Sequence, residues 1–133
     1  MKPVLTAALV AAIAAAAVPV SAHHGVNAQY DTSKYITMTG TLVKIDWINP
    51  HAYFHYDVPA AGGKVQRWIF ESPGPNAMRR AGLSSRNLFK VGDKYTIRSN
   101  PSRDGSHMGT FGIVKFPDGR TINIEAADPA AKK

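Results

Sequence analysis

From His51 to Val58 apolar and polar side chains alternate without a break: Ala52, Phe54, Tyr56 and Val58 fall on one side, His51, Tyr53, His55 and Asp57 on the other. A period of two places each set on one face of an extended strand, and a dry face this aromatic requires a second layer to cover it. The neighbouring segments carry the same signature. Tyr35 to Asp46 is rich in β-branched residues, with Ile36 and Met38, then Val43, Ile45 and Trp47, at period two on either side of Gly40, which reads as a long strand kinked at that glycine. Lys64 to Glu71 reads as a third strand after the turn Pro59-Ala60-Ala61-Gly62-Gly63, with Trp68 and Phe70 expected on opposite faces.

Beyond Ser72-Pro73-Gly74-Pro75, the run Asn76 to Leu83 has the composition of a short helix, with Asn76 as its cap and Gly82 as its stop. Ser84 or Ser85 then caps a further short turn before Leu88 and Phe89. Lys94–Ser99, Met108–Phe116 and Arg120–Glu125 supply strands four to six, the last two joined at Pro117-Asp118-Gly119. The expected fold is all-β: a small Greek-key barrel of the oligonucleotide/oligosaccharide-binding (OB) type, with five to six strands and one short helix between strands three and four. A β-sandwich is the alternative.

Ahead of the strands, Lys2 precedes an uncharged stretch, Pro3 to Ala22, that ends in Val20-Ser21-Ala22. This is the pattern of a secretory leader over residues 1–22 with cleavage after Ala22. The run is mostly alanine, and a spanning helix needs about 20 strongly apolar residues, so no membrane span is expected after cleavage. Residues 23–133 form a single domain with a short loose tail, addressed to the periplasm or secreted. The chain has no cysteine, which excludes disulfides, thiol chemistry and cysteine-ligated metals in an oxidising compartment.

Read together, Ala22-His23-His24, Gly40-Thr41-Leu42-Val43, Trp47-Ile48-Asn49-Pro50-His51, Trp68 with Glu71-Ser72-Pro73, Val91-Gly92-Asp93 and Asn100-Pro101-Ser102-Arg103-Asp104-Gly105 resemble, in that order, a family of small exported bacterial proteins classed only as a domain of unknown function. The resemblance implies an exported barrel-like domain in which the paired histidines after the leader and the histidine of Asn-Pro-His belong to the pattern. It implies no activity. His55 and His107 stand outside that pattern.

Cleavage after Ala22 creates a free α-amine on His23, and an amine with an ordinary pKa of about 7.7 to 8.0 is readily deprotonated by a competing metal. Amine and imidazole of His23 chelate one ion, and a further imidazole completes a three-nitrogen arrangement that resembles the histidine brace of exported copper proteins. Nitrogen ligands in tetragonal geometry favour Cu(II). The remaining imidazole comes from His51 or from His24, which binds through the intervening backbone nitrogen. His55 lies on the face of His51 but about 13 Å further along the strand, too far to share the ion. His107 and Met108 are secondary candidates, the thioether suiting Cu(I). The alternative is that these histidines are solvated and bind metal only incidentally.

Lys and Arg number 16 against 9 Asp and Glu, a net charge of +7. Arg79, Arg80, Arg86, Lys90, Lys94, Arg98 and Arg103 fall in one quarter of the chain, a candidate surface for an anionic envelope component. Export argues against a nucleic-acid partner. No nucleophile elbow, phosphate-binding glycine loop or helical histidine pair is present, and Asp46, Asp57 and Glu71 are lone carboxylates, so catalysis would rest on a copper-dependent oxidase or oxygenase. The leading expectation is a non-enzymatic copper-binding protein using His23, His24 and His51; its oligomeric state is not legible.

Overall fold

The computed structural model of this chain describes residues 25–83 and 87–127. The leader, His23, His24, Ser84, Ser85, Arg86 and the C-terminal tail therefore lie outside the described residues. A short helix α1 (Val26–Gln29) precedes strands β1 (Ile36–Ile48), β2 (His51–Pro59) and β3 (Val65–Pro73); helix α2 (Pro75–Arg80) follows, then β4 (Lys94–Ser99), β5 (Met108–Thr110), β6 (Ile113–Lys115) and β7 (Thr121–Asn123). All seven strands belong to one sheet in the order β5-β3-β2-β1-β4-β6-β7.

The alternation read in β2 has its structural counterpart in burial. Ala52, Phe54 and Tyr56 are fully buried while their odd-numbered neighbours are partly exposed. β2 lies antiparallel between β1 and β3, with Phe54 opposite both Ile45 and Phe70. The Phe54 ring stacks on Phe111 at 4.1 Å and meets Phe89 edge-on at 4.9 Å, the centre of a core that also holds Leu42, Tyr95, Ile97 and Val114. Burial of each such side chain contributes about 1.5–3 kcal/mol, and cysteine-free cohesion rests on this aromatic cluster.

β1 is shared between two partners: its first half, Ile36 to Thr41, pairs with β4, and Thr41 to Ile48 pairs with β2. The break in its periodicity is a register shift between Leu42 and Lys44, two residues past the glycine expected to kink it. Gly40 has a different function there, because a Cβ would stand 2.9 Å from the Asp57 carbonyl and the Val58 side chain. Trp68 and Phe70 do not face apart. Two residues apart on one strand, they share a face, and their rings stack with centroids 6.1 Å apart.

The single short helix expected between strands three and four is α2. Its cap lies two residues earlier than expected, at Gly74 rather than Asn76, with Pro75 in the first turn, and it buries Met78 against the core. Gly82, at φ +75°, follows it as expected for a helix stop.

Two features correct the expected barrel. Met108–Phe116 is not one strand: Phe111 turns its ring into the core and Gly112 passes so close to the Arg98 carbonyl that a Cβ would collide with it. The segment divides there into β5, parallel to β3, and β6, antiparallel to β4. Among the described residues the count is therefore seven strands rather than five to six, and the sheet, with β5 and β7 at its ends, is not a closed barrel. The second correction is α1, a helix ahead of β1 that the sequence reading lacked.

Candidate functional site

The outer face of the sheet carries a polar row set by register. His51 and Tyr53 on β2 share a face with Glu71 on β3, because Tyr53 pairs with Glu71 and His51 with Pro73. Glu71 in turn lies opposite Thr110 in the parallel ladder with β5. Period two thus gathers an imidazole, a phenol, a carboxylate and a hydroxyl at one end of three strands.

The segment before β1 closes over that end. Asp31 N–H donates to the Pro101 carbonyl at 2.9 Å, Arg103 N–H to the Gln29 carbonyl at 2.9 Å, and the Asn100 side chain to the Lys34 carbonyl at 2.7 Å. Tyr30 is almost wholly buried by this arrangement. Its hydroxyl donates to Glu71 Oε2 at 2.6 Å, while His51 Nδ1 lies 3.1 Å from Glu71 Oε1. One carboxylate therefore holds one partner on each oxygen. Burial, reinforced by the hydrogen bond to Glu71 and its charge, pushes the Tyr30 hydroxyl well above the usual phenol range; burial and Glu71 raise Tyr53 as well.

Between the segment and the sheet is a cavity of about 390 Å³, lined among others by Gly25, Tyr30, His51, Glu71, Asn100 and Glu125. Glu125 reaches it from beyond β7 and accepts a hydrogen bond from the Thr110 hydroxyl at 3.2 Å. Among the described residues the lining includes no lysine or arginine.

The sequence-derived candidates divide sharply. His51 lines the cavity, with its side chain 45% exposed. His23 and His24 lie outside the described residues, but Gly25, bonded to His24, lines the same cavity. His55 is engaged elsewhere, its Nε2 2.9 Å from Asp46 Oδ2. Asp46 titrates below the usual carboxylate range, held there first by Lys44 and then by His55. His107 is exposed and stacks on Trp68 with centroids 5.0 Å apart; Met108 opens β5 opposite Ile69. Neither lines the cavity.

Arg79 and Arg80 end α2, Lys94 and Arg98 lie on β4, Arg98 covers the Tyr35 ring at 3.8 Å, and Arg103 donates to the Asn27 carbonyl at 3.0 Å.

Tyr30, Thr110, Glu125 and the role of Glu71 were not recognised from sequence. Three of the segments singled out there nevertheless converge on the cavity: His51 from Asn-Pro-His, Glu71-Ser72-Pro73, and Asn100. The model of a family of unknown function, DUF6152, matches residues 10–111. The chain belongs to that family. The match begins within the expected leader and ends at Phe111, ahead of β6 and β7. No curated protein and no solved structure gives a significant match. Among the described residues no three His, Asp or Glu side chains converge as a metal-binding group, and no helix is long and apolar enough to cross a membrane.

Proposed function

We propose that this member of the DUF6152 family is an exported, non-enzymatic copper-binding protein of the periplasm, whose site is formed by the amine and imidazole of His23 together with His51, helped or replaced by His24. The observation that carries this reading is that His51 and Gly25 line one cavity. Two bonded residues separate the new amine from that cavity wall. His51 directs Nδ1 to Glu71, which leaves Nε2 as its metal-binding nitrogen, and a metal-binding histidine characteristically has its other ring nitrogen held by a carboxylate. The carboxylate-lined, arginine- and lysine-free cavity suits a divalent cation.

The test is a competition titration of Cu(II) against a calibrated chelator, comparing protein that begins at His23 with protein carrying one extra N-terminal residue. Tight one-to-one binding that is lost on extension is expected, together with a sharp loss in His51→Ala. Equal, weak binding by both forms overturns the reading. Because the amine must shed its proton, affinity falls as pH is lowered below about 8.

For the fold we propose the plan of a Greek-key OB-like barrel. β1 divides between β2 and β4, β5 runs parallel to β3, and only Phe111 and Gly112 separate β5 from β6, the partner of β4. That junction supports a strongly curled but unclosed sheet with the Phe54–Phe111 stack on its inner side. Backbone contacts between Phe111–Gly112 and both β3 and β4, measured by amide cross-peaks in solution, test it; contacts to one strand alone would argue for an open sheet.

A further inference from the structure

We propose that the outer face of β1, β4, β6 and β7 is a docking surface for an acidic polysaccharide, a chain of carboxylate-bearing sugars. Register builds this face. Thr39 lies opposite Thr96, Thr96 opposite Lys115 and Lys115 opposite Thr121, so one row of side chains crosses all four strands. The Thr39 and Thr96 hydroxyls meet at 2.8 Å on the exposed side, while Tyr95, Ile97 and Val114 between them turn into the core. Lys94 and Arg98 flank Thr96 along β4 and share its face by the period of two. Lys115 stands diagonal to both, about 7–8 Å from each along the backbone. All three cations are exposed.

Charge pairing sets this half of the sheet apart from the other. On the outer side of β1, β2 and β3, Lys44 lies 2.8 Å from Asp46 and Arg67 lies 2.6 Å from Asp57. Among the described residues Lys94, Arg98 and Lys115 take part in no ion pair, and Asp118, in the turn between β6 and β7, is held by Arg120 at 2.6 Å. Three like charges this close repel one another, and a polyanion laid across them removes that cost. Arg98 is stacked on the Tyr35 ring at 3.8 Å, which orders its guanidinium while its in-plane N–H donors serve a carboxylate. Threonine hydroxyls interleave the cations, and each both donates and accepts, as the hydroxyls of a sugar require. A depression of about 410 Å³, lined by Thr39, Thr41, Lys94 and the exposed Val65, continues the row toward the hairpin of β2 and β3; Asp57 also lines it, with its carboxylate taken by Arg67. Single-stranded nucleic acid fits less well, because it is held by bases stacked on bare aromatic rings and Tyr35 lies under Arg98. The surface contains no histidine and stands independently of the copper reading.

The experiment measures binding of polygalacturonate oligomers to the purified protein by titration calorimetry, at low and at physiological salt, with neutral dextran and inorganic polyphosphate as comparison polymers. Polygalacturonate is expected to bind, to bind more weakly as salt rises, and to bind more tightly than either comparison polymer. A metal chelator should leave that binding unchanged. Lys94→Glu combined with Lys115→Glu is expected to weaken it about tenfold, whereas Arg79→Glu combined with Arg80→Glu, the same change of net charge placed at the end of α2, should weaken it by no more than about twofold. Thermal melting confirms the fold of each variant; should the glutamate pair on the sheet fail to fold, Lys94→Gln with Lys115→Gln removes the charges alone, with a loss of about threefold expected. An equal loss from the two charge-reversed pairs would show that net charge and not this face attracts the polymer, and overturns the proposal. So does polyphosphate binding as tightly as polygalacturonate, which would make the occupant a phosphate polymer, and so does dextran binding equally or polygalacturonate failing to bind at low salt.

Discussion

Tyr56 is fully buried, and among the described residues its hydroxyl is the buried side-chain polar atom without a hydrogen-bond partner. Burial pushes its ionisation well above the usual phenol range. An unsatisfied buried hydroxyl costs about 1–3 kcal/mol, so removing it relieves a penalty while leaving the ring contacts with Phe70 and Tyr95 intact. Tyr56→Phe is therefore expected to unfold at the same or a higher urea concentration than the unsubstituted protein, and a loss of more than about 1 kcal/mol would show that the hydroxyl is satisfied in solution. Phe54 is the contrasting case. With ring contacts to Trp47, Phe89 and Phe111, Phe54→Ala should cost about 3–5 kcal/mol in the same measurement. The importance of Phe54 is legible from alternation alone. That of Glu71 is not, because its partners His51 and Tyr30 stand 20 and 41 positions away and no periodicity links them; only the strand register shows that the lone carboxylate has company.

Elements reveal a similar boundary. β4 is read to the residue, β2 to within one, and α2 to within a few, since each lies between strong turn residues. The division of Met108–Phe116 is different in kind: MGTFGIVKF reads as one strand-like segment, and no local pattern says that Phe111 turns inward and that Gly112 passes against the Arg98 carbonyl. Close approach between distant backbones also fixes the element that carries His51. The β3–α2 junction places Gly74 against the turn at Pro50, where the Asn49–Pro50 bond is cis, and a Cβ on Gly74 would run into the Pro50 carbonyl. Because the obstacle is backbone and not a flexible side chain, Gly74→Ala should destabilise the protein by about 1–3 kcal/mol. Its melting temperature is the check; an unchanged melt would mean that the Pro50 turn gives way freely, and with it the fixed placement of His51.

At the scale of the whole molecule, two sets of ionisable groups bracket the pH range of the fold. Asp31 and Asp104 are held down to about 2, the first chiefly by the Ser33 hydroxyl and then Lys34, the second chiefly by Ser106; Asp118, bonded by the Arg120 backbone and side chain, is also lowered. Each binds protons more weakly in the folded state than in the unfolded one, so its stabilisation is present above the ordinary value of 3.8 and is lost as pH falls toward 2. The tyrosines act with the opposite sign. Burial raises Tyr30, Tyr53, Tyr56 and Tyr95, so their contribution is full below the ordinary value of 10.0 and is lost as pH rises beyond it. The urea midpoint should therefore be nearly flat from about pH 5 to 9 and fall on both sides. The two limbs differ in cause. Below pH 4 each protonated carboxylate adds to a net charge that is already +7 at pH 7 with the histidines counted as neutral, so self-repulsion deepens the acid limb and added salt should make it shallower. Above pH 10 ionising tyrosines offset positive charge, and desolvation of buried phenols, which salt does not screen, drives the loss. An acid limb indifferent to salt, or an alkaline fall already complete by pH 9, would show that charge and buried tyrosine do not set the two edges.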